Sequence, residues 1–362
     1  MIWVAWRQFR AQGLTVLVLL AAAAIGFLIT GLQMRHGYNA DLAACALPHA
    51  CDGATPAARA LGAQIDQWQR SYQPMFELLQ LLVVAVPALI GIFWGAPLIG
   101  RELETGTHQL AWGQTVTRTR WLAVKLTVVG AAATATAAIF SWLLTWWAGP
   151  LDHLNENRWG AMTFASRDIV PIGYAAFAFA LGTTAGLLLR RTLPAMAGTL
   201  AAFVVIQIFV PTVVRQHLLP PTTVRLQIDQ TTVSQAHGIE LHNGSATEIS
   251  LMSLPVPRGA WVIAAPPIED AAGHPVAPTT HLDCFPGLDT GSGQDPSPAA
   301  GGDTPDFGDS GSCLAKYDLH ETLSYHPANH YWPLQWMETG IFLALSGALL
   351  GACFWWIRRR QT

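Results

Sequence analysis

The chain has 362 residues, of which only 12% are charged, and its mean hydropathy is +0.32. A soluble globular protein carries about 25% charged residues, so this composition excludes an ordinary soluble enzyme and indicates a membrane protein. The formal net charge is −3 and the basic residues lie in thin segments beside the apolar stretches, so we expect no nucleic-acid partner.

Six apolar stretches divide the chain in order. They cover roughly residues 13–32, 77–99, 121–147, 170–189, 193–213 and 334–357. Each is close to the ~20 residues that cross a ~30 Å hydrocarbon core as a helix. We therefore predict an α-helical polytopic membrane protein with six transmembrane helices.

The charges between these stretches are sorted by side. With the N-terminus placed inside, the inside segments and the first turn of the third span hold eleven of the 20 basic residues and only two acids, Glu102 and Glu104. The outside segments and the outer span ends hold nine bases and 21 acids. The positive-inside rule then places both termini in the cytoplasm. Arg outnumbers Lys 18 to 2 and Ala is abundant, which indicates a bacterial cell membrane.

Residues 1–12, MIWVAWRQFRAQ, can form a short amphipathic helix. Trp6 lies on its apolar face and Arg7 and Arg10 lie on its polar face, an arrangement suited to the inner membrane interface. The alternative is that these residues are only the polar cap of the first span. The next segment, 33–76, is predicted to be an external loop.

The second and fourth spans contain residues that disturb or tighten helices. Pro87 and Pro97 lie within or at the end of the second span, so we expect a kink or break there, where protein or water covers the freed carbonyls. The fourth span contains Gly182-x-x-x-Gly186. Small residues at this spacing let helices approach closely, either within the chain or in a dimer.

Residues 214–332 are predicted to form a small α/β extracellular domain between the fifth and sixth spans, followed by residues 333–362 as the last span and a basic cytosolic tail. Alternating runs at 222–229, 249–253 and 260–264 predict strands. The Gly/Pro/Asp/Ser-rich stretch 285–312 predicts a flexible loop.

Four of the five cysteines fall in the external segments as close pairs, Cys45 with Cys51 and Cys284 with Cys313. Disulfides form in oxidising compartments, so we predict one bridge within each segment, with crossed pairing as the alternative.

Two external motifs suggest chemistry at first sight. Residues 308–312, GDSGS, copy the nucleophile motif of chymotrypsin-like proteases, but the domain is too short for that double barrel. His326 and His330 have a metal-like spacing, but Pro327 disfavours a continuous helix between them. We predict no catalytic residue and no metal site in this chain.

Four polar residues lie close to the membrane: Glu77, Gln80, Gln207 and Glu338. A charge deep in a bilayer usually indicates function. Glu77 and Glu338 sit at the outer ends of their spans, so contact with interfacial water is favoured over a role as a substrate gate. Gln207 is deeper and could line a pathway or bridge helices.

The predicted cytosolic loop 100–120 reads GRELETGTHQLAWGQTVTRTR. Gly106 and Thr107 predict a helix break followed by a short new helix over about 107–114, with Thr107 as its N-cap. Leu110 and Trp112 would then project into the cytosol, where an exposed apolar tip needs a partner. No Walker A sequence, G-x-x-x-x-G-K-[ST], occurs in the chain, so ATP would have to be bound by another protein.

The loop resembles that of the permease subunits of type-2 ABC exporters, in which an acidic run and Gly-Thr precede a coupling helix. Arg101, Glu102, Glu104, Gly106 and Thr107 match the pattern, and basic residues enter the third span as in the family. Position 115 departs from it, because Thr115 stands where members often have Pro. The six-span plan and the entry to the last span, YHPANHYWPLQWMETGIFLAL, also resemble bacterial members that have a large external loop before that span.

The resemblance implies the permease of an ATP-driven exporter that moves an amphipathic or hydrophobic substrate, such as a peptide antibiotic, a drug or a lipid. Two copies of the chain would pair with two separate ATPase subunits that bind ATP and Mg²⁺, while this chain holds no cofactor. Residues 100–120 would be the coupling loop, with Leu110 and Trp112 at its tip. Residues 1–12, with Trp3, Trp6, Arg7 and Arg10, would be the elbow helix. Two alternatives stay open: an ATPase-coupled signalling complex without transport, and a membrane-embedded enzyme.

Overall fold

The computed structural model describes residues 2–37, 56–106, 117–155, 158–229, 231–232, 238–242, 248–252, 256–257, 259–266, 268–276 and 312–359. The chain divides into two compact units. The first consists of Met1–Leu218 with Tyr331–Thr362, and the second of Leu219–His330.

Eight helices build the described part of the first unit. They are α1 (Ile2–Gly37), α2 (Pro56–Ile90), α3 (Ala96–Glu104), α4 (Arg118–Asn155), α5 (Ala161–Ser166), α6 (Val170–Leu189), α7 (Thr192–Phe209) and α8 (Tyr331–Arg359). A π-helical turn, Val210–Val214, and a 3₁₀ turn, Arg215–His217, extend α7.

Six segments of these helices are long and apolar enough to cross a membrane, which confirms the predicted fold class. They are Val18–His36, Ala63–Glu104, Arg118–Asp152, Val170–Leu189, Thr192–His217 and Ala328–Arg359. Large apolar side chains on their outward faces, such as Val205 and Trp142, are about two-thirds exposed, as lipid-facing side chains are.

The second span is interrupted where its prolines predict a break. A π-helical turn, Gly91–Gly95, separates α2 from α3, and Pro97 lies in the first turn of α3. Proline has no N–H to donate in a helix interior, but it is tolerated in a first turn. The interruption lets α3 begin as a new helix.

Glycines pack α6 against this interruption. A Cβ atom added to Gly182 would lie 2.2 Å from the Gly91 carbonyl oxygen, and one added to Gly186 would lie 2.5 Å from the Ala96 carbonyl oxygen. Backbone atoms at such distances leave no room for a side chain. Of the two roles open for the Gly182-x-x-x-Gly186 motif, the structure shows close packing within the chain.

The structure shows no helix boundary at residue 12. Residues 2–12 continue into the first span as one helix, α1, because no proline or capping residue stops the helix there and Gly13 alone does not break it. The expected separate helix over 1–12 is therefore not observed as an element of its own. The side chains of Trp3, Trp6, Arg7 and Arg10 lie outside the described part, and their place in the interface stays a prediction.

The second unit contains a three-stranded antiparallel sheet in the order β1-β5-β4 and a two-stranded hairpin, β2-β3. The strands are β1 (Thr222–Gln227), β2 (Gly238–His242), β3 (Glu248–Met252), β4 (Trp261–Ala264) and β5 (His320–His326). The three predicted strands correspond to β1, β3 and β4. Sequence analysis missed β2 and the central strand β5, although both lie within the segment 214–332 that was predicted to form this domain.

Candidate functional site

Six spans that alternate in direction give the bundle two ends. The N-terminus of α4, the α6–α7 turn and the C-terminus of α8 meet at one end, which carries Arg118, Arg120, Arg190, Arg191, Arg358 and Arg359. We call it the basic end. The C-terminus of α4, the N-termini of α6 and α8, and α5 lie at the opposite end.

At the basic end, Glu102 of α3 accepts a hydrogen bond from the Lys125 ammonium of α4, and the two groups form an ion pair. The two side chains are only 18% and 8% exposed, and the ammonium also lies 4.7 Å from the centre of the Trp121 ring. A mostly buried ion pair is costly to break from one side. Glu102 therefore fastens α3 to α4.

Glu104, the last residue of α3, binds the start of α7. Its Oε2 accepts hydrogen bonds from the Thr192 backbone N–H at 3.0 Å and from Thr192 Oγ1 at 2.7 Å. The first N–H groups of a helix have no partner in their own helix, and a carboxylate there is favourable. The two acids of the predicted ATPase-coupling segment thus make contacts inside the chain.

The break predicted at Gly106 is present, because α3 ends at Glu104 and Gly106 has φ = +74°. Only glycine adopts this left-handed conformation without strain. Arg101 is exposed on the last turn of α3. Thr107, Leu110 and Trp112 lie outside the described residues, so the short helix over 107–114 stays a prediction.

A cavity of about 620 Å³ opens beside this region. Phe93, Trp94 and Pro97 supply apolar walls, while Arg101 and Glu104 supply charged groups. The lining also includes Thr15, Thr105 and Thr192. A lining that combines apolar and charged side chains suits an amphipathic ligand.

At the opposite end, Glu338 of α8 is fully buried in an ion pair with Arg215. Arg215 Nε lies 2.8 Å from Glu338 Oε2 and Arg215 Nη2 lies 3.1 Å from Oε1, and Tyr174 of α6 donates its hydroxyl to the same carboxylate. The expectation that water reaches Glu338 is wrong, because these three protein donors occupy the carboxylate in place of water.

The short helix α5 lies among the spans at this end and is fixed by side chains from two of them. Gln80 of α2, only 5% exposed, donates to Thr163 Oγ1 at 2.9 Å. Gln335 of α8 donates to the Phe164 carbonyl at 3.3 Å and accepts from the Val170 N–H at 3.2 Å. Gln80 therefore positions α5 in this structure.

The remaining predicted gate residues lie apart from this network. Glu77 is exposed and accepts a hydrogen bond from Gln73 at 3.1 Å, and its placement in the interface stays a prediction. Gln207 of α7 has a buried Oε1 for which no donor occurs among the described residues. The structure brings Gln80 and Glu338 to the opposite end, but Gln207 joins neither group.

Sequence analysis missed the acids and bases between α4 and α6. Arg167, in the link between α5 and α6, donates to Asp152 at the C-terminus of α4, and Tyr331 donates to Asp168 Oδ2 at 2.6 Å. These residues were counted only as external charges. Arg215 was also missed, although its position at the end of a span could have suggested a partner for Glu338.

The external motifs remain largely untested. Cys45, Cys51 and Cys284 lie outside the described residues, as does most of 308–312, so both disulfides stay predictions. The rings of His326 and His330 approach each other, with their Nδ1 atoms 3.1 Å apart. No third ligand completes a metal-binding group in the part of the chain that the structure describes.

One family model, described as ABC-2 membrane transporter related, matches residues 17–215. The match covers more than half of the chain and includes five of the six candidate spans, the glycine-packed interruption, and the basic-end contacts of Glu102 and Glu104. No curated protein and no solved structure matches the chain.

Proposed function

Because the chain belongs to the ABC-2 membrane transporter related family, we propose that it is the permease subunit of an ATP-driven exporter. The family match across five spans carries this proposal. Two copies of the chain would form the pathway, since six spans make only half of a two-sided channel. Two separate ATPase subunits would bind ATP and Mg²⁺ and supply the energy.

In this proposal the basic end faces the cytoplasm. The arginines at the start of α4, in the α6–α7 turn and at the end of α8 obey the positive-inside rule. Both termini would then be cytoplasmic and the second unit extracellular. The six apolar helices support a multi-pass membrane protein, and a bacterial plasma membrane is the location that we propose.

The coupling loop between α3 and α4 would receive the motion of the ATPase. Its base is anchored by the Glu102–Lys125 ion pair and by the bonds from Thr192 to Glu104. A push on Leu110 and Trp112 would therefore move α3, α4 and α7 together, because rigid contacts transmit a displacement better than loose ones.

The amphipathic cavity at the basic end supports an amphipathic or hydrophobic substrate. Its apolar wall, formed by Phe93, Trp94 and Pro97, would hold a hydrocarbon or aromatic part, and Arg101 would face a polar group. The α5 helix and the Arg215–Glu338 pair fill the opposite end in this structure. Export would require that end to open after the substrate has entered from the basic end.

The first test is purification of the tagged chain from its native membrane in mild detergent, with mass spectrometry of the proteins that co-elute. We expect a stoichiometric ATPase with a Walker A sequence. In the double variant L110D/W112D the ATPase should be lost while the permease stays in the membrane, because buried aspartates penalise an apolar interface.

A control variant, Q109D/Q114D, adds the same charge to the same loop without removing apolar surface. It should keep most of the ATPase. Equal ATPase recovery with L110D/W112D and wild type would contradict the docking role of the loop. Uptake of substrate into inside-out vesicles by the intact complex would then separate transport from an ATPase-coupled signalling function.

A further inference from the structure

Arg167 is a deeply buried cation whose hydrogen bonds are incomplete. It is 1% exposed, and among the described residues its Nη1 alone has a hydrogen-bond partner, Asp152. Its Nε and Nη2 are buried without an acceptor among the described residues. Buried guanidinium groups are normally paired and fully hydrogen-bonded, because each lost bond to water must be replaced.

The two unbonded nitrogens lie on one edge of the guanidinium. That edge, Nε with Nη2, forms the planar fork that grips a carboxylate or a phosphate through two parallel hydrogen bonds. Arg215 shows the same fork occupied in the same protein, with its Nε and Nη2 on the two oxygens of Glu338. Both arginines also lie over a phenyl ring, Phe76 for Arg167 at 4.9 Å and Phe164 for Arg215 at 4.0 Å.

The acidic side chains near Arg167 are already engaged. Asp152 Oδ2 faces both Arg167 Nη1 and, at 3.9 Å, the Nε of the half-exposed Arg158. Asp168 binds the Tyr331 hydroxyl. In the described part of the chain no carboxylate contacts the fork, and an added oxyanion would complete its hydrogen bonds.

The backbone that carries Arg167 is held in place from two sides. Ser141 of α4 donates to the Asp168 carbonyl at 2.9 Å, Thr145 accepts from the Asp168 N–H at 3.3 Å, and Gln335 accepts from the Val170 N–H. Asp168 itself has the left-handed φ of 54°, a strained conformation for a residue other than glycine. These bonds hold the backbone next to Arg167, and the bond from Nη1 to Asp152 orients the guanidinium itself.

We propose that the Nε/Nη2 edge of Arg167 binds the oxyanion, a phosphate ester or a carboxylate, of an amphipathic molecule at the end of the bundle opposite the basic end. This inference rests on the proposed transport function, because the fork of Arg167 is buried. A ligand reaches it only through the bundle or after α5 has been displaced. The phenyl ring of Phe76 would lie beside the less polar part of the ligand.

The test measures thermal unfolding of the purified full chain in neutral maltoside micelles. The probes are octyl phosphate, octanol with the same tail, and inorganic phosphate. We expect octyl phosphate to raise the unfolding midpoint of the wild type in a saturable way, while octanol does not. If inorganic phosphate binds with the same affinity as octyl phosphate, the ligand is a free anion. If inorganic phosphate binds more weakly, the hydrocarbon tail contributes to binding.

Variants locate the effect. R167Q removes the charge and R167K keeps the charge but lacks the fork, so octyl phosphate should bind each at least about tenfold more weakly. R158Q changes a neighbouring, half-exposed arginine and should bind like the wild type. The proposal is overturned if neither phosphate stabilises the wild type, or if R167K, which keeps the positive charge, binds with wild-type affinity.

These outcomes are independent of ATPase recovery. The assay uses the permease chain alone, so loss of the anion response leaves the permease assignment intact. Failure of the ATPase to co-purify would equally leave the binding result unchanged.

Discussion

The ion pair between Arg215 and Glu338 allows a quantitative prediction. In E338L the Arg215 guanidinium stays buried, at 1% exposure, and loses both carboxylate oxygens. Removing one partner of a buried ion pair costs about 3–5 kcal/mol of folding free energy. Tyr174 loses its acceptor as well, so we expect E338L to fall in the upper part of that range.

The double variant R215M/E338L should recover most of this loss. Replacing both charges with apolar side chains of similar size removes the desolvation cost of both ions and is often close to neutral. By the same principle R215M alone should also cost about 3–5 kcal/mol, so the two single effects should be strongly non-additive, with a coupling free energy of at least about 4 kcal/mol. Phe164, whose ring lies 4.0 Å from the guanidinium carbon, would pack against the new methionine.

The assay is equilibrium unfolding of the purified chain in detergent, followed by tryptophan fluorescence. E77L serves as the control, because Glu77 is exposed and has one hydrogen bond, from Gln73, and its replacement should change stability by less than about 1 kcal/mol. If E338L is no more harmful than E77L, or if the R215M and E338L effects simply add, the pair does not hold this end of the bundle together.

Two further results are expected from single substitutions. Burial raises the pKa of Glu321 in the second unit from 4.5 to about 7, so folding favours the protonated acid. The stabilisation that results is complete below pH ~4.5 and is lost as the pH rises through 7. This loss lowers the free energy of unfolding by at most about 3 kcal/mol. E321Q should abolish this pH dependence in unfolding experiments between pH 4.5 and 8, and an unchanged pH profile in E321Q would refute the assignment. G182A should destabilise the first unit strongly, because its Cβ would lie 2.2 Å from the Gly91 oxygen. In the control G351A the added Cβ has nothing within 4 Å, so this variant should be neutral or slightly stabilising. Equal unfolding curves for the two variants would contradict the packing described for α6.

The membrane architecture was predictable because its causes are local in sequence. Twenty apolar residues in a row have few alternatives to a membrane helix, so all six spans could be placed. Pro97 and Gly106 likewise act on their own backbone, and the interruption of the second span and the end of α3 lie where they predict. One continuous helix crosses residue 12, because nothing local stops α1 there, and the interfacial role of residues 1–12 stays a prediction.

The polar network could not be predicted because its pairs are distant in sequence. Arg215 and Glu338 are 123 positions apart, and no spacing rule relates them. Because Glu338 lies at the end of its span, we predicted that interfacial water reaches it. This reasoning is correct for a lone acid but not for one that pairs with an arginine. α5 was missed because six residues give no recognisable helical period, and tertiary contacts from Gln80 and Gln335 hold it.

The two ends of the bundle are connected through α6. Near the basic end, the backbone of α6 packs at Gly182 and Gly186 against the Gly91–Gly95 turn and the start of α3. At the opposite end, Tyr174 donates a hydrogen bond to Glu338 and the Val170 N–H donates one to Gln335. Close backbone packing leaves no soft side chain to absorb a displacement, so a shift of α3 must move α6 as a rigid body. That shift would reach the bonds that hold α5 and the Arg215–Glu338 pair. On the proposed function, α6 is the physical route by which a push on the proposed coupling loop would open the far end. Variants at Gly182 that still fold should then weaken transport before they weaken recovery of the proposed ATPase.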